Sequence, residues 1–239
     1  MTNEYSKIGD LNLKLLYSAD NFNKWLFDEI KPFIRDGNIL EIGSGIGTIS
    51  NILINEFKKS NITLSDIDRK YIKFLRDKYN NRDINVHEIN VEKFDHLKKL
   101  NKFFDTVIML NVLEHIKDDL KPLENIYKIL KRNGVLILLV PAFKFLYNSI
   151  DIEVGHYRRY SKKEIIKLSK SAGYKIKGCF YFNFLSIIGW FINGTIFRKG
   201  ELSKNALDIY NNMIPLLRVF EKNIIKRKIG ISIILILEK

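Results

Sequence analysis

The sequence predicts an α/β protein built on a mostly parallel sheet. Seven short apolar segments alternate with segments of helical apolar spacing along the 239 residues. The segment 103–110 (FFDTVIML) has the continuous apolar density of a strand that is buried on both faces. The first strand runs directly into a glycine-rich turn. Strands that alternate with helices imply a parallel sheet, and no linker divides the chain, so we expect one domain over residues 1–239.

The first half of the chain contains a leading helix, four strands and three further helices. A leading helix is predicted at 20–34 because its apolar residues fall on one side, and with the preceding residues it forms an N-terminal helical cap, 1–36. Short apolar runs then predict four strands. The helical spacing of apolar residues predicts three helices, two between these strands and one after the last of them. The predicted strands are 38–42, 61–65, 84–88 and 103–110, and the predicted helices are 46–57, 67–79 and 119–130.

The second half is less regular. The helix 119–130 ends near Asn133-Gly134, a usual stop signal, and the strand 135–140 (VLILLV) ends at Pro141. The helix 161–172 opens with a capping box, Ser161 to Glu164. Two further strands, 174–182 and 231–237, are separated by a helical insertion, 183–222, whose helix from 202 to 222 is interrupted at Pro215.

Composition narrows the classes of partner. The net charge is +13, but the lysines are spread over many segments and no nucleic-acid-binding motif is present. We therefore attribute the charge to general composition and expect no nucleic-acid partner. One cysteine, Cys179, excludes a disulfide framework, and the polar N-terminus 1–10 lacks the apolar core of a signal peptide. We expect a cytoplasmic protein; the sequence leaves its oligomeric state open.

The glycine-rich turn points to a ligand. The stretch 39–47 (ILEIGSGIG) places Glu41 two residues before Gly43, and Gly45 and Gly47 follow. Glycine tolerates positive φ and lets the backbone approach a ligand closely. The spacing G-x-G-x-G differs from the G-x-G-x-x-G of dinucleotide sites, and a carboxylate on the strand end would repel a pyrophosphate but attract an ammonium group. The turn therefore predicts a cofactor with a cationic group.

A strongly apolar stretch at 180–197 needs a separate explanation. It is shorter than the roughly 20 apolar residues of a membrane-spanning helix and is interrupted by Asn183, Gly189, Asn193 and Gly194. We expect no spanning helix here. A lid over the active site and a helix lying in a membrane interface both stay open, so peripheral membrane contact is possible.

The motif E-x-G-x-G-x-G resembles the first motif of the class I S-adenosylmethionine-dependent methyltransferases. The resemblance implies a Rossmann-like fold with an antiparallel last strand and a helical lid insertion. It also implies that Asp66 binds the ribose hydroxyls, while Asn90 accepts the adenine amino group where the family more often has aspartate. The cofactor-binding residues implied in this way are Glu41, Gly43, Ser44, Gly45, Gly47, Asp66, Ile67, Asn90, Val91, Asn111 and Leu113.

Two further segments are similar to family motifs. The stretch 104–116 (FDTVIMLNVLEHI) resembles the fourth motif of methyltransferases related to the ubiquinone-biosynthesis O-methyltransferases, with Asn111 and Leu113 against the methionine part of the cofactor. His115 could then deprotonate a substrate hydroxyl, or it could support the turn. The stretch 155–161 (GHYRRYS) resembles a subgroup found near surface-glycan and lipid-linked sugar pathways.

The subgroup segment lies at the carboxyl edge of the predicted sheet, which is the substrate side in this architecture. His156 and Tyr157 join His115 as candidate catalytic residues. Tyr157, Arg158 and Tyr160 are candidates for substrate binding, since arginine can hold a phosphate or a carboxylate. The alternative is that the arginines pair with Asp151 and Glu153 while the tyrosines pack. The four scattered histidines show no H-x-x-x-H spacing, so no metal site is predicted.

The resemblance implies methyl transfer from S-adenosylmethionine, with S-adenosylhomocysteine as product. The acceptor atom would be oxygen, and in second place nitrogen, of a small molecule, a sugar or a lipid-linked compound. Two alternatives stay open: a nicotinamide-dependent oxidoreductase on a related sheet, and a non-catalytic, membrane-associated binding module of the same fold.

Overall fold

A computed structural model describes residues 4–196 and 204–239 of the chain. Its centre is a seven-stranded sheet in the order β3-β2-β1-β4-β5-β7-β6. Strands β1 to β5 pair in parallel, and β7 lies antiparallel between β5 and β6. The predicted seven-stranded, mostly parallel sheet with an antiparallel last strand is confirmed. The strands are β1 (Asn38–Ile42), β2 (Asn61–Asp66), β3 (Asn85–Glu88), β4 (Phe104–Leu110), β5 (Leu130–Pro141), β6 (Lys175–Phe182) and β7 (Ser232–Glu238).

Helices flank the sheet and join the parallel strands. The α-helices are α1 (Glu4–Tyr17), α2 (Asp20–Ile30), α3 (Thr48–Glu56), α4 (Arg69–Lys78), α5 (Phe94–Lys98), α6 (Leu120–Ile129), α7 (Ser149–Glu153), α8 (Lys162–Ser171), α9 (Ser186–Phe191) and α10 (Lys204–Phe220). A short π-helical turn, Ile192–Ile196, follows α9, and a second one, Glu221–Ile225, follows α10. Within the described residues, no helix is both long and apolar enough to cross a bilayer.

The core consists of two apolar layers on opposite faces of the sheet. Successive residues of a strand point to opposite faces. Along β5, Leu136 and Leu138 accordingly pack in one layer, while Ile137 and Leu139 pack in the other. All four side chains are at most 2% exposed, which explains why these strands are apolar throughout.

Two sequence-based predictions differ clearly from the structure, at the start of β5 and at Pro215. β5 begins at Leu130 and not at residue 135, because Leu130 pairs with Phe104 of β4 and the backbone around Asn133 and Gly134 pairs with Lys239. Pro215 does not interrupt α10 but lies inside it on the exposed side. The stretch 180–197 forms the end of β6, α9 and the first π-helical turn; Phe197 lies outside the described residues, as does Leu202 at the predicted start of the last helix.

The parallel arrangement brings several loops to one edge of the sheet. β1 ends at Ile42, β2 at Asp66, β4 at Leu110 and β5 at Pro141, and these strands are neighbours in register. The loops that follow them carry the predicted cofactor and substrate residues. Ligands of open α/β sheets bind at this edge.

Candidate active site

The glycine turn between β1 and α3 has left-handed backbone at all three glycines. The φ angles are +77° at Gly43, +52° at Gly45 and +78° at Gly47. A Cβ on Gly43 would lie 2.3 Å from the Cγ2 of Val112, in the loop after β4. The absence of a side chain therefore serves both the turn and the close approach of two loops at the candidate site.

Hydrogen bonds from the end of β2 hold this turn. The backbone N–H groups of Gly43 and Ser44 both donate to the Ser65 carbonyl at 2.9 Å. The Gly45 N–H donates to Oδ2 of Asp66 at 2.8 Å. The turn is thus preorganised by the strand that supplies the predicted ribose-binding carboxylate.

Glu41 lies behind the turn and is 5% exposed. Its Oε2 accepts hydrogen bonds from the hydroxyl groups of Ser44, at 3.1 Å, and Ser50. Burial raises the pKa of Glu41 to about 7, although the two hydroxyl groups act in the opposite direction. Its carboxyl group therefore ties the turn to α3 and is poised to ionise near neutral pH.

Asp66 ends β2 in an 8% exposed position. Its Oδ2 accepts from the Gly45 N–H, and its Oδ1 accepts from the Asp68 N–H at 3.0 Å. Burial raises the pKa of Asp66 even though these backbone donors favour its charged form. Ile67 follows with 62% of its surface exposed, and Asp68 caps α4 by accepting from the Lys70 N–H at 2.8 Å.

The two remaining groups of predicted cofactor residues follow β3 and β4. Asn90 accepts the Glu92 N–H at 2.9 Å with its side-chain oxygen, and Val91 is buried beside it. Asn111 is exposed with φ +52°, whereas the Leu113 side chain is fully buried in the core. Any contact of Leu113 with a cofactor would therefore come from its backbone.

Helix α1 covers the glycine turn from outside. The Cδ2 of Leu13 lies 3.1 Å from the position of a Cβ on Gly45. Tyr17 receives a hydrogen bond from Asn51 on α3 at 3.2 Å, and Asp10 pairs with Lys70 and Tyr71 on α4. The N-terminal helical cap thus packs across the edge of the sheet where the predicted cofactor residues lie.

A cluster of acid–base groups follows β4 at the same edge. Glu114 is fully buried, and neither of its carboxylate oxygens has a hydrogen-bond partner. The Nε2 of His156 lies 3.7 Å from Oε1 of Glu114. The rings of His115 and His156 stand edge to face, with centroids 4.7 Å apart. Burial raises the pKa of Glu114 to about 7, and nearby His156 acts against this shift.

His115 carries a pKa below its usual value. Crowding by the surrounding protein and the neighbouring His156 both disfavour the imidazolium form. The side chain nevertheless keeps an exposed surface, so solvent moderates the effect. Ligand atoms of Glu114, His115 and His156 all lie within 4.8 Å of one another, which is close enough to hold a cation.

Asp151 and Arg159 support the cluster from the interior. Asp151 accepts from Arg159 Nε at 2.9 Å and lies 2.7 Å from Nδ1 of His156. Burial alone would raise the pKa of Asp151, but these partners outweigh it and lower the pKa. A carboxylate at Nδ1 orients the His156 ring so that Nε2 points to Glu114.

The other members of the 155–161 segment divide between surface and interior. Tyr157 is 57% exposed, and its N–H donates to the Glu114 carbonyl at 2.8 Å. Arg158 and the 4% exposed Tyr160 both donate to Oδ2 of Asp119, at 2.7 and 3.0 Å. Their predicted role in substrate binding stays a prediction.

Sequence reasoning assigned no role to Glu114, Asp119 or Ser50. A single carboxylate within the apolar run 107–116 (VIMLNVLEHI) could have indicated a buried, functional Glu114. The pairing of Asp119 with the 155–161 segment had no such signal, because only the fold brings the two together. The cluster of Glu114, His115 and His156 had no sequence signal either, because its two histidines come from different loops.

Comparison with known proteins agrees with this geometry. Residues 40–136 match a family model described as a methyltransferase domain. The chain is 29% identical over 167 residues to malonyl-[acyl-carrier protein] O-methyltransferase 2 of Ilyobacter polytropus, covering 62% of this chain and 60% of that protein. It is 31% identical over 159 residues to probable polyketide synthase 42 of Dictyostelium discoideum, covering 57% of this chain and 6% of that protein. The chain thus spans less than two thirds of these relatives.

A solved structure shares the fold over nearly the whole chain. A SAM-dependent methyltransferase from Archaeoglobus fulgidus superposes with a TM-score of 0.59 at 18% identity, covering 93% of this chain and 95% of that one. The sheet order, the glycine turn and the match over residues 40–136 are all typical of methyltransferase domains. The chain therefore has the Rossmann-like fold of S-adenosylmethionine-dependent methyltransferases, and its residues 40–136 are similar to a methyltransferase domain.

Proposed function

We propose that this chain transfers the methyl group of S-adenosylmethionine to oxygen, or in second place nitrogen, of a small-molecule, sugar or lipid-linked acceptor. One observation carries the proposal. The preorganised glycine turn with Asp66 and the buried cluster around Glu114 lie in adjacent loops, joined at the Gly43–Val112 contact. A cofactor cradle and a group of acid–base side chains thus share one edge of the sheet.

Methyl transfer requires the protein to align the acceptor with the methyl group more than to activate either of them. The methyl group is bound to a sulfonium, so transfer is an in-line displacement in which the acceptor atom forms a bond as the carbon–sulfur bond breaks. The electron pair goes to sulfur and gives S-adenosylhomocysteine. The protein must hold the acceptor in line and exclude water.

His115 is proposed to accept the proton that an acceptor hydroxyl loses. Its lowered pKa keeps the imidazole neutral at neutral pH, and its exposed surface lets an acceptor reach it. His156 is proposed to position His115 across their edge-to-face ring contact, since Asp151 fixes its orientation.

Acceptor binding is proposed at Tyr157, Arg158 and Tyr160. Tyr157 has an exposed side chain, and its backbone N–H donates to the Glu114 carbonyl. Arg158 keeps a third of its side chain exposed, so it could turn an N–H toward a phosphate or carboxylate while Asp119 holds the guanidinium. Oxygen as acceptor atom is supported by the name of the Ilyobacter relative, an O-methyltransferase.

Titration calorimetry with S-adenosylmethionine and S-adenosylhomocysteine tests the cofactor assignment on the folded chain. We expect saturable binding of both and none of reduced nicotinamide cofactors. S-Adenosylhomocysteine release from mixtures with hydroxyl- and amine-bearing acceptors then tests activity. Tight binding of a nicotinamide cofactor, or failure of well-folded protein to bind either methyl-donor form, would contradict the proposal.

Substitution of His115 by glutamine is expected to lower kcat by about 10²- to 10⁴-fold, the usual range for a lost general base. S-Adenosylhomocysteine affinity should stay unchanged, because His115 acts on the acceptor. His87→Gln is the matched control, since His87 lies on the edge strand β3. If the two variants have equal kcat, His115 is only a support of the turn.

Cofactor binding is expected to release a proton near neutral pH. Burial raises the pKa of Glu41 to about 7, and a nearby ammonium group would favour the ionised form. Calorimetry in buffers of different ionisation enthalpy measures the release. It should disappear in Glu41→Gln but persist in Glu114→Gln. Binding without any proton release would mean that Glu41 serves only to anchor the turn to Ser44 and Ser50.

The same pKa predicts a trend in stability. Glu41 in the unfolded chain has the ordinary glutamate pKa of 4.5, while burial raises the pKa to about 7 in the folded state. Between these values the folded state binds more protons, so the contribution of Glu41 to the free energy of unfolding falls as pH rises. Denaturant titrations of Glu41→Gln should accordingly show a weaker loss of stability from pH 5 to pH 8.

A further inference from the structure

Helix α10 exposes an apolar stripe on the side that faces away from the protein. Its members are Ile209, Met213, Leu216 and Phe220, with exposed fractions of 63, 47, 71 and 40%. Their spacing of four, three and four residues places them along one side of a helix. Ile224, 65% exposed, follows in the π-helical turn. We name these five residues the α10 stripe.

The opposite side of α10 is already packed, so the stripe is not a core face displaced outward. Ile214 is 2% exposed, and Tyr210 donates a hydrogen bond to Oδ1 of Asn183 at 2.7 Å. Arg218 pairs with Asp28 of α2 at 2.8 Å. The helix is therefore fixed on the rest of the protein by one side, while its other apolar side is exposed among residues 4–196 and 204–239.

Helix α9 and its π-helical turn add a second exposed apolar series. Ile188, Phe191, Ile192 and Ile196 are 53, 43, 37 and 60% exposed. Soluble proteins rarely leave so many large apolar side chains exposed within one insertion without a binding partner.

Charge indicates which partner suits the α10 stripe. The exposed Lys222, Lys226 and Lys228 lie at its C-terminal end, and the whole chain has a net charge of +13. A second copy of this chain would bring the same positive charge to the contact and be repelled. An anionic bilayer offers the reverse: acyl chains for the apolar side chains and negative headgroups for the lysines.

We propose that the α10 stripe inserts into the surface of an anionic phospholipid membrane, with α10 lying in the plane of the interface. The helix does not span the bilayer, in keeping with the absence of a spanning helix among the described residues. This proposal does not depend on the methyl-transfer reaction and is tested without it.

The insertion that would contact the membrane is also joined to the candidate acceptor site. Ser149 of α7 donates to the Gly194 carbonyl at 2.8 Å, and Asn148 donates to the Trp190 carbonyl at 3.3 Å. The same α7 contains Asp151, which orients His156. These hydrogen bonds join the second exposed apolar series, in α9 and its π-helical turn, to the acceptor side of the protein.

Vesicle co-sedimentation of the full chain tests the proposal. We expect binding to vesicles that contain phosphatidylglycerol, weaker binding to pure phosphatidylcholine vesicles, and weakening of the former by salt. The double variant Ile209→Gln, Leu216→Gln should lose about tenfold or more in partition coefficient, because two inserted aliphatic side chains are removed. Both positions are exposed, so circular dichroism and thermal melting should stay as in the parent.

Matched variants separate the apolar and the charged contributions. Phe103→Gln removes a 59% exposed aromatic residue next to β4, away from the insertion, and should leave vesicle binding unchanged. Lys222→Gln with Lys228→Gln should weaken binding to anionic vesicles only. Equal binding of the parent and the stripe variant would overturn the proposal. So would a vesicle-free dimer that the stripe substitutions dissociate, because a second copy would then be the partner.

Discussion

Replacement of Asp66 by alanine is expected to lower the affinity for S-adenosylhomocysteine by about a hundredfold or more, while the fold stays intact. A carboxylate can accept a hydrogen bond from each of two vicinal hydroxyl groups, and hydrogen bonds to a charged group contribute about 1.5–3 kcal/mol each. The substitution also removes the acceptor for the Gly45 N–H, so the turn loses its anchor to β2. Isothermal titration calorimetry measures the loss.

Two further variants separate these effects. Asp66→Asn keeps an oxygen that can accept from Gly45 but removes the charge, so we expect an affinity between those of the parent and the alanine variant. Asp68→Ala removes the cap of α4 and should lower the free energy of unfolding by about 1 kcal/mol without changing the affinity. Unchanged affinity in Asp66→Ala would contradict the assignment of the ribose site.

Replacement of Gly43 by alanine is expected to lower the free energy of unfolding by about 2–5 kcal/mol. The left-handed backbone at φ +77° costs about 1–2 kcal/mol for a residue with a side chain. The new methyl group would also lie 2.3 Å from the Cγ2 of Val112, and overpacking of this kind costs about 1–3 kcal/mol. Urea titration followed by circular dichroism gives the measurement.

The chain contains a matched control for this substitution. Gly189 lies in α9, and a Cβ there would meet no atom within 4 Å. Gly189→Ala should therefore raise stability by about 0.5–1 kcal/mol. Adding Val112→Ala to Gly43→Ala should restore the part of the loss that comes from the steric clash. If the second substitution restores nothing, the strain lies in the backbone alone.

The local chemistry of the chain determined the class of fold and the position of the cofactor turn. Strand β1 matches its predicted range, 38–42, because a short apolar run bounded by glycines has few other solutions. The capping box at Ser161 and Glu164 is present for the same reason, since both partners lie within one helical turn. Such features depend on residues that are neighbours in sequence.

Tertiary structure alone decided which distant groups meet. Residues 130–134 belong to β5 because Leu130 pairs with Phe104 of β4 and Lys239 pairs with Asn133 and Gly134, and no local signal reports either pairing. His156 comes within 3.7 Å of Glu114 because two loops from different strands reach one edge of the sheet. Burial then shifts the pKa values of Glu41 and Glu114 to about 7. Protonation equilibria and exposed apolar surface both depend on what the whole fold places around a side chain, so the sequence could identify the candidate residues but not their contacts.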